Sequence, residues 1–166
     1  MDDLIVARNN LKQIENIMHL LDKKCSIKDI GILKYFLGME VAKSRTGINV
    51  CQRKYALDLL HDSGLLACKP SSSPMDNNAK LHSNSGPMYC DITSYRRLIG
   101  KLIYLTHTRP DVSFHVGHLS QFLAAPIVAH YKVAQRILRY IKGSPGKGLF
   151  FPTENIVSLK GYSDSD

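Results

Sequence analysis

Two pairs of carboxylates stand near opposite ends of this 166-residue chain: Asp2 and Asp3 in "MDDLIV", Asp164 and Asp166 in "GYSDSD". Adjacent aspartates leading into an apolar run suit metal-dependent phosphoryl transfer, in which two divalent ions about 4 Å apart clamp the attacking and leaving oxygens. Such ions need oxygen ligands from more than one strand. A lone Asp-Asp therefore describes a helix N-terminus or a solvated chain end equally well. On residue types alone, the second pair reads as a polar terminus. His115 and His118 share a helix face at a spacing of three, yet no Cys or carboxylate stands beside them to complete a zinc site. Cys25, Cys51, Cys68 and Cys90 form no C-x-x-C pair and read as free intracellular thiols.

The third chemical feature is "SYRRLIGKLIYL". Its apolar residues Tyr95, Leu98, Ile99 and Leu102 fall on one helical face, and Arg97, Gly100, Lys101 and Tyr104 recur at offsets of three and four opposite it. Glycine inside a helix costs about 1 kcal/mol relative to alanine, so Gly100 suggests close approach of another body. A nucleic-acid groove fits: bare backbone admits it, Lys101 meets phosphate, and Tyr104 lies against sugar or base. A solvated basic face, with the glycine serving helix packing, fits as well. The formal charge of +8 and pI near 9.4 suit a polyanionic partner without specifying one.

Several elements must position these groups. "NNLKQIENIMHLLDKKC" places Leu11, Ile14, Met18 and Leu21 at helical spacing, with Asn10 as N-cap. "LKYFLGMEVAKSRTGINVCQ" reads as two strands around a polar turn ending in Gly47. "RKYALDLLHDSG" is a helix with Tyr55, Leu59 and Leu60 inward and Gly64 as its stop. Residues 68–90, rich in Ser, Asn and Pro, form a linker. Beyond it, "RPDVSFHVGHLSQFLAAP" restarts a helix after a proline, and "AHYKVAQRILRYIKG" spaces Val133, Ile137 and Ile141 at fours. "KGLFF" and "VSLKGYSD" read as two strands joined by a turn. No apolar stretch approaches the roughly 20 residues of a membrane span, and no secretory signal is read at the front. The chain is expected to be intracellular, with neither a membrane nor a small-molecule cofactor as partner.

Read in order, "MDDLIV", "IKDIGILKYFLGMEV", "GINVCQRKYALDLLHDSGLLACKP", "SSPMD", "YRRLIGKLIYLTHTRPDVSF", "LSQF", "AHYKVAQRILRYIKGSPGKGL" and "GYSDSD" resemble the reverse transcriptase of copia-type LTR retrotransposons over essentially the whole chain. The resemblance implies an α+β fold: a truncated palm remnant with a β-hairpin, then a mainly helical thumb and connection region. Residues 1–67 would be the palm remnant with its primer-grip-like hairpin and following helix, 68–90 the linker, 91–147 the thumb and connection, and 148–166 the start of ribonuclease H. It further implies that Asp2 and Asp3 match the paired catalytic, metal-binding aspartates, and that Asp164 matches the first ribonuclease H aspartate, with Asp166 two residues away. Tyr35, Phe36, Leu37, Gly38 and Met39 resemble the hairpin that grips a primer 3′ end. Arg97, Gly100, Lys101 and Tyr104 fall on a stretch similar to the thumb helix laid in the primer–template minor groove.

Departures bear on activity. The family's second metal-binding aspartate belongs to a motif upstream of Asp2, and these 166 residues do not include it. The tyrosine that precedes the Asp pair in the family is not present either, and Cys25 stands where the family usually has an aromatic. Mg²⁺ or Mn²⁺ serves the intact family, whereas this chain alone is open to binding none. The implied partner is an RNA/DNA primer–template duplex, together with the remainder of a split Pol polyprotein. The implied function is two-metal RNA-directed DNA polymerisation in the intact family, with the isolated chain expected to be inactive. The alternatives are a non-catalytic nucleic-acid-binding remnant and a domesticated or inert transposon-derived protein. The apolar strand expected at residues 3–7 would lack sheet neighbours and leave apolar edge exposed.

Overall fold

The computed structural model describes residues 4–76, 81, 86–154, 159 and 161. Asp2, Asp3, Asp164 and Asp166, and the strand pattern "VSLKGYSD", lie outside the described residues except for isolated positions 159 and 161. The architecture is α+β: one four-stranded antiparallel sheet and a set of helices that carries most of the core.

At the N-terminal side, residues 4–8 form no strand, which corrects the expectation for residues 3–7. A strand lacking a paired neighbour leaves its backbone N–H and C=O groups without a ladder, so the extended conformation has nothing to hold it. The expected apolar exposure is real: Leu4 is 69% and Ile5 43% exposed. Helix α1 (Leu11–Cys25) follows, with Asn10 at the N-cap position, although its side chain makes no capping bond. The α1 stripe of Ile14, Met18 and Leu21 is only half-buried, and no residue of this helix is fully buried.

The sheet runs β1 (Tyr35–Phe36), β2 (Met39–Lys43), β3 (Gly47–Cys51) and β4 (Leu149–Pro152), in that spatial order. The polar turn that ends at Gly47 joins β2 to β3 as read from the sequence, with Ser44 Oγ accepting from the Gly47 amide at 3.1 Å. A second hairpin precedes it. Leu37 (φ +46°) and Gly38 (φ +76°) make a two-residue turn between β1 and β2, with Phe36 paired to Met39. Two successive positive φ angles match the right-handed strand twist, which explains the glycine but makes leucine an unusual first residue.

The "KGLFF" stretch does form a strand, and its partner is β3: Val50 pairs with Leu149 and Ile48 with Phe151. Entry to this pairing requires Gly148. A side chain there would overlap the Val50 carbonyl oxygen and come within 2.7 Å of Cys51 Cβ.

Helices α2 (Arg53–Asp62), α3 (Ile92–Leu105), α4 (Ser113–Ser120) and α5 (Val128–Lys142) enclose the core. Ala56, Leu59 and Leu60 of α2 meet Tyr95, Leu98, Ile99, Leu102 and Leu105 of α3, with Val116 and Leu119 of α4 and Ala134, Ile137, Leu138 and Ile141 of α5. The α3 stripe and Leu59, Leu60, Ile137 and Ile141 are buried as read from the spacing, whereas Tyr55 and Val133 are only partly buried against this core. Helix α2 ends as expected at Gly64 (φ +66°), where the Leu65 amide reaches back to the Leu60 carbonyl. Over its described residues the serine-rich segment lies against α5. Arg136 donates to Ser73 Oγ at 3.0 Å and to Asp76 Oδ2 at 2.9 Å, and the Ser71 amide donates to the Arg139 carbonyl at 3.1 Å.

Candidate nucleic-acid interface

Helix α3 begins where Asp91 accepts from the Ser94 amide at 2.9 Å, a side-chain cap that sets its first turn. From there Tyr95, Leu98, Ile99 and Leu102 point into the core, and the opposite strip carries Arg97, Gly100, Lys101 and Tyr104. Arg97 and Gly100 are exposed, while Lys101 and Tyr104 are half-buried. A Cβ placed on Gly100 would meet nothing within 4 Å among the described residues. Packing among the described residues therefore gives no reason for this glycine, and α3 presents bare backbone there.

Tyr104 leans towards the sheet. Its hydroxyl donates to the Leu37 carbonyl, and Gly38 passes beneath the ring, so that a Cβ on Gly38 would lie 3.5 Å from the phenol oxygen. The tip of the β1–β2 hairpin is thus fastened to α3. Phe36, Gly38 and Met39 are half-buried around this tip, and Leu37 is 60% exposed. The two groups singled out in the sequence, Phe36 to Met39 and Arg97 to Tyr104, are joined through Tyr104, which reaches the Leu37–Gly38 turn.

Two residues of α2 complete the junction. The Tyr55 hydroxyl donates to the Lys101 carbonyl at 3.2 Å, and its ring meets Tyr104 edge-on with centroids 5.2 Å apart. Burial, with a smaller contribution from Tyr104, raises the Tyr55 pKa, so the phenol stays protonated and remains a donor. Lys101 Nζ lies 2.7 Å from Asp62 Oδ2, and this hydrogen bond holds the Asp62 carboxyl below its ordinary range. Lys101 lies on the strip opposite the core-facing side of α3, and its ammonium is occupied by a carboxylate. Sequence reading placed Tyr55 inward and gave Asp62 no role. No local signal marks either, because their partners lie 46 and 39 positions away.

A further polar centre sits inside the helical half. Arg109, 2% exposed, donates through Nε and Nη2 to the two Asp111 oxygens, each at 2.9 Å, and through Nη1 to the Ser144 carbonyl at 2.8 Å. Tyr140 and Lys147 also donate to Asp111, at 3.0 and 3.3 Å. Arg109 foremost holds this carboxyl far below its usual range. Four donors converge on Asp111, three of them on Oδ2, and so tie the α3–α4 connection to the end of α5.

The paired aspartates Asp2 and Asp3 and the C-terminal Asp164 lie outside the described residues. Among the described residues, no three His, Cys, Asp or Glu side chains come together as a metal site would require, so they do not fit a two-ion centre. No helix among them is long and apolar enough to cross a membrane.

Comparison with known proteins adds to this geometry. The family described as reverse transcriptase (RNA-dependent DNA polymerase) matches residues 1–77. The chain is 41% identical over 165 residues to the retrovirus-related Pol polyprotein from transposon RE1 of Arabidopsis thaliana, covering 99% of this chain and 11% of that protein. It is 30% identical over 174 residues to the Pol polyprotein from transposon TNT 1-94 of Nicotiana tabacum, covering 99% of this chain and 13% of that one. An uncharacterized mitochondrial protein of A. thaliana is 34% identical over 166 residues, with 99% of this chain and 68% of that protein covered. The chain therefore spans about a tenth of the length of the transposon polyproteins it matches. No solved structure matches it.

Proposed function

Because the chain belongs to the reverse transcriptase family of copia-type Pol polyproteins, we propose that its hairpin tip and α3 strip form a grip for an RNA–DNA primer–template duplex. The observation that carries this reading is the Tyr104–Leu37 hydrogen bond. It joins the primer-grip-like turn to the thumb-like helix, whose bare Gly100 backbone and exposed Arg97 follow one and two turns back along the same strip. Phe36, Leu37, Gly38 and Met39 seat the primer end through backbone and apolar side chains, without reading sequence. Arg97 and Lys101 meet phosphates, and Gly100 lets the backbone come close to the duplex. Tyr104 contacts it through ring rather than hydroxyl, since the hydroxyl is already engaged.

In the intact family the catalytic chemistry is nucleotidyl transfer assisted by Mg²⁺ or Mn²⁺, to which Asp2 and Asp3 would contribute carboxylates and Asp164 would serve a following ribonuclease H. These 166 residues by themselves are a duplex-binding piece of a Pol polyprotein, and primer extension by the isolated chain is expected to be absent. The described residues bring no carboxylate cluster to the grip, so no chemical step is assigned to it.

Fluorescence anisotropy with a labelled RNA–DNA hybrid tests the reading across a salt series. Binding independent of sequence and steeply weakened by salt is expected. The Arg97→Glu, Lys101→Glu variant should bind more weakly, with a salt slope shallower by about one for each phosphate that is no longer neutralised. Affinity that is flat with salt, or unchanged in that variant, would remove the proposed grip. Incorporation in a poly(rA)/oligo(dT) extension assay that disappears in Asp2→Asn, Asp3→Asn would overturn the expected lack of polymerase activity.

A further inference from the structure

The Lys101 ammonium, the cation closest to the hairpin tip on the α3 strip, is held by the Asp62 carboxylate at 2.7 Å, and both side chains remain solvent-accessible, at 35% and 55%. Asp62 is the last residue of α2, a position at which the helix dipole disfavours a carboxylate and favours a cation. Its amino-acid type is therefore not explained by its own helix. The contact explains it: Lys101 supplies the compensating charge from α3, and His61 Nδ1 stands 3.8 Å away. A carboxylate bonded to a lysine ammonium occupies the place a phosphate oxygen would take.

We propose that Asp62 is a built-in competitor for phosphate, so that a polyanion docking on α3 must exchange the Asp62 carboxylate for a phosphate at Lys101. This inference rests on the reading of α3 as a nucleic-acid interface and specifies how its affinity is set. The exchange keeps Lys101 charge-paired in the free protein and lowers the gain from each encounter, which favours ligands that present several phosphates at once over isolated anions. The neighbouring Arg97 makes no ion pair among the described residues, so it carries the first contact and Lys101 the second.

The test compares Asp62→Asn with Asp58→Asn on the whole chain, using a labelled RNA–DNA hybrid at low and moderate salt. Asp58 lies one turn earlier on α2, is exposed and makes no ion pair among the described residues, so its substitution removes the same charge without freeing Lys101. Asp62→Asn is expected to tighten binding by about two- to fivefold, the range in which exposed ion pairs act. Its salt slope should steepen, Asp58→Asn should change little, and Lys101→Gln should abolish the gain when combined with Asp62→Asn. Asp62→Ser serves as a second variant with the same expected outcome. Equal effects of Asp62→Asn and Asp58→Asn, or a gain that persists without Lys101, would overturn the competition while leaving the grip intact. A wild-type chain with no salt-sensitive binding would remove the grip itself, so the two failures are distinguishable.

Discussion

The Tyr104 hydroxyl donates to the carbonyl of Leu37, a residue 67 positions earlier in the chain. This bond links the sheet to the helical core, which also meet where α2 packs on β2. It connects two short motifs. Without it the β1–β2 turn would project from the end of a sheet whose β1 strand is only two residues long.

Tyr104→Phe removes the hydroxyl but keeps the edge-on ring contact with Tyr55. A single exposed hydrogen bond contributes about 0.5–1.5 kcal/mol, so the folded state should lose no more than that in a urea titration. Amide exchange should accelerate at Leu37 to Val41 while the α5 core stays protected. Duplex affinity should fall as the turn loosens. An unchanged exchange pattern would mean that Tyr104 does not position the hairpin.

Leu37 holds a left-handed backbone conformation that costs an L-residue roughly 1–2 kcal/mol. Leu37→Gly should therefore stabilise the chain by about 1 kcal/mol, less whatever the greater freedom of glycine in the unfolded chain takes back. The same change removes an exposed apolar side chain from the proposed grip, so duplex binding should weaken. Opposite signs in stability and affinity would mark Leu37 as retained for contact rather than for folding. If both rose together, the side chain would have no part in binding.

Much of this fold could be read from the residues. The inward stripes of α3 and α5 follow from apolar spacing alone, and the Gly47 and Gly64 stops follow from turn chemistry. The strand at "LFF" was legible, but its partner was not, because pairing β4 with β3 depends on how the helices between them fold back. The strand expected at residues 3–7 shows the converse: over the described residues 4–7 an apolar, β-prone sequence that pairs with no strand does not become one. At the candidate site the outward strip of α3 was visible from periodicity. Asp62 and Tyr55 were not, since nothing around them announces contacts made across the core.

Asp111 answers the charge of an Arg109 that is almost wholly enclosed. Asp111→Asn should cost about 3–5 kcal/mol, because it strands a buried guanidinium instead of deleting a pair. Replacing both residues, as Arg109→Met with Asp111→Leu, should cost less than the single change. Urea midpoints for the two variants check the order. A single variant milder than the double one would show that the Ser144 carbonyl, already bonded to Arg109, satisfies the guanidinium without Asp111.

Acid should destabilise the helical half through histidine as well as carboxylate. His130 is fully buried, stacks on Phe122 with centroids 3.9 Å apart, and accepts the Ile127 amide through Nδ1 at 3.2 Å. That bond needs an unprotonated Nδ1, so the ring sits in the fold as the neutral Nε2–H tautomer. Burial first, then the nearby His118, lowers the pKa of both His130 and His115. A histidine with a depressed folded pKa binds its proton more readily in the unfolded chain. Its stabilising contribution is therefore complete well above pH 6.5, the ordinary histidine value, and declines as the pH falls below it towards the folded pKa. Asp111 acts lower: its depressed pKa adds stability that is present above the ordinary carboxylate range and is lost only in stronger acid. Urea unfolding at about pH 7.5 and about pH 5.5 should thus show a loss that precedes carboxylate titration, and His130→Phe should flatten that interval by removing the buried proton acceptor. A loss of equal size in His130→Phe would assign the effect to other groups.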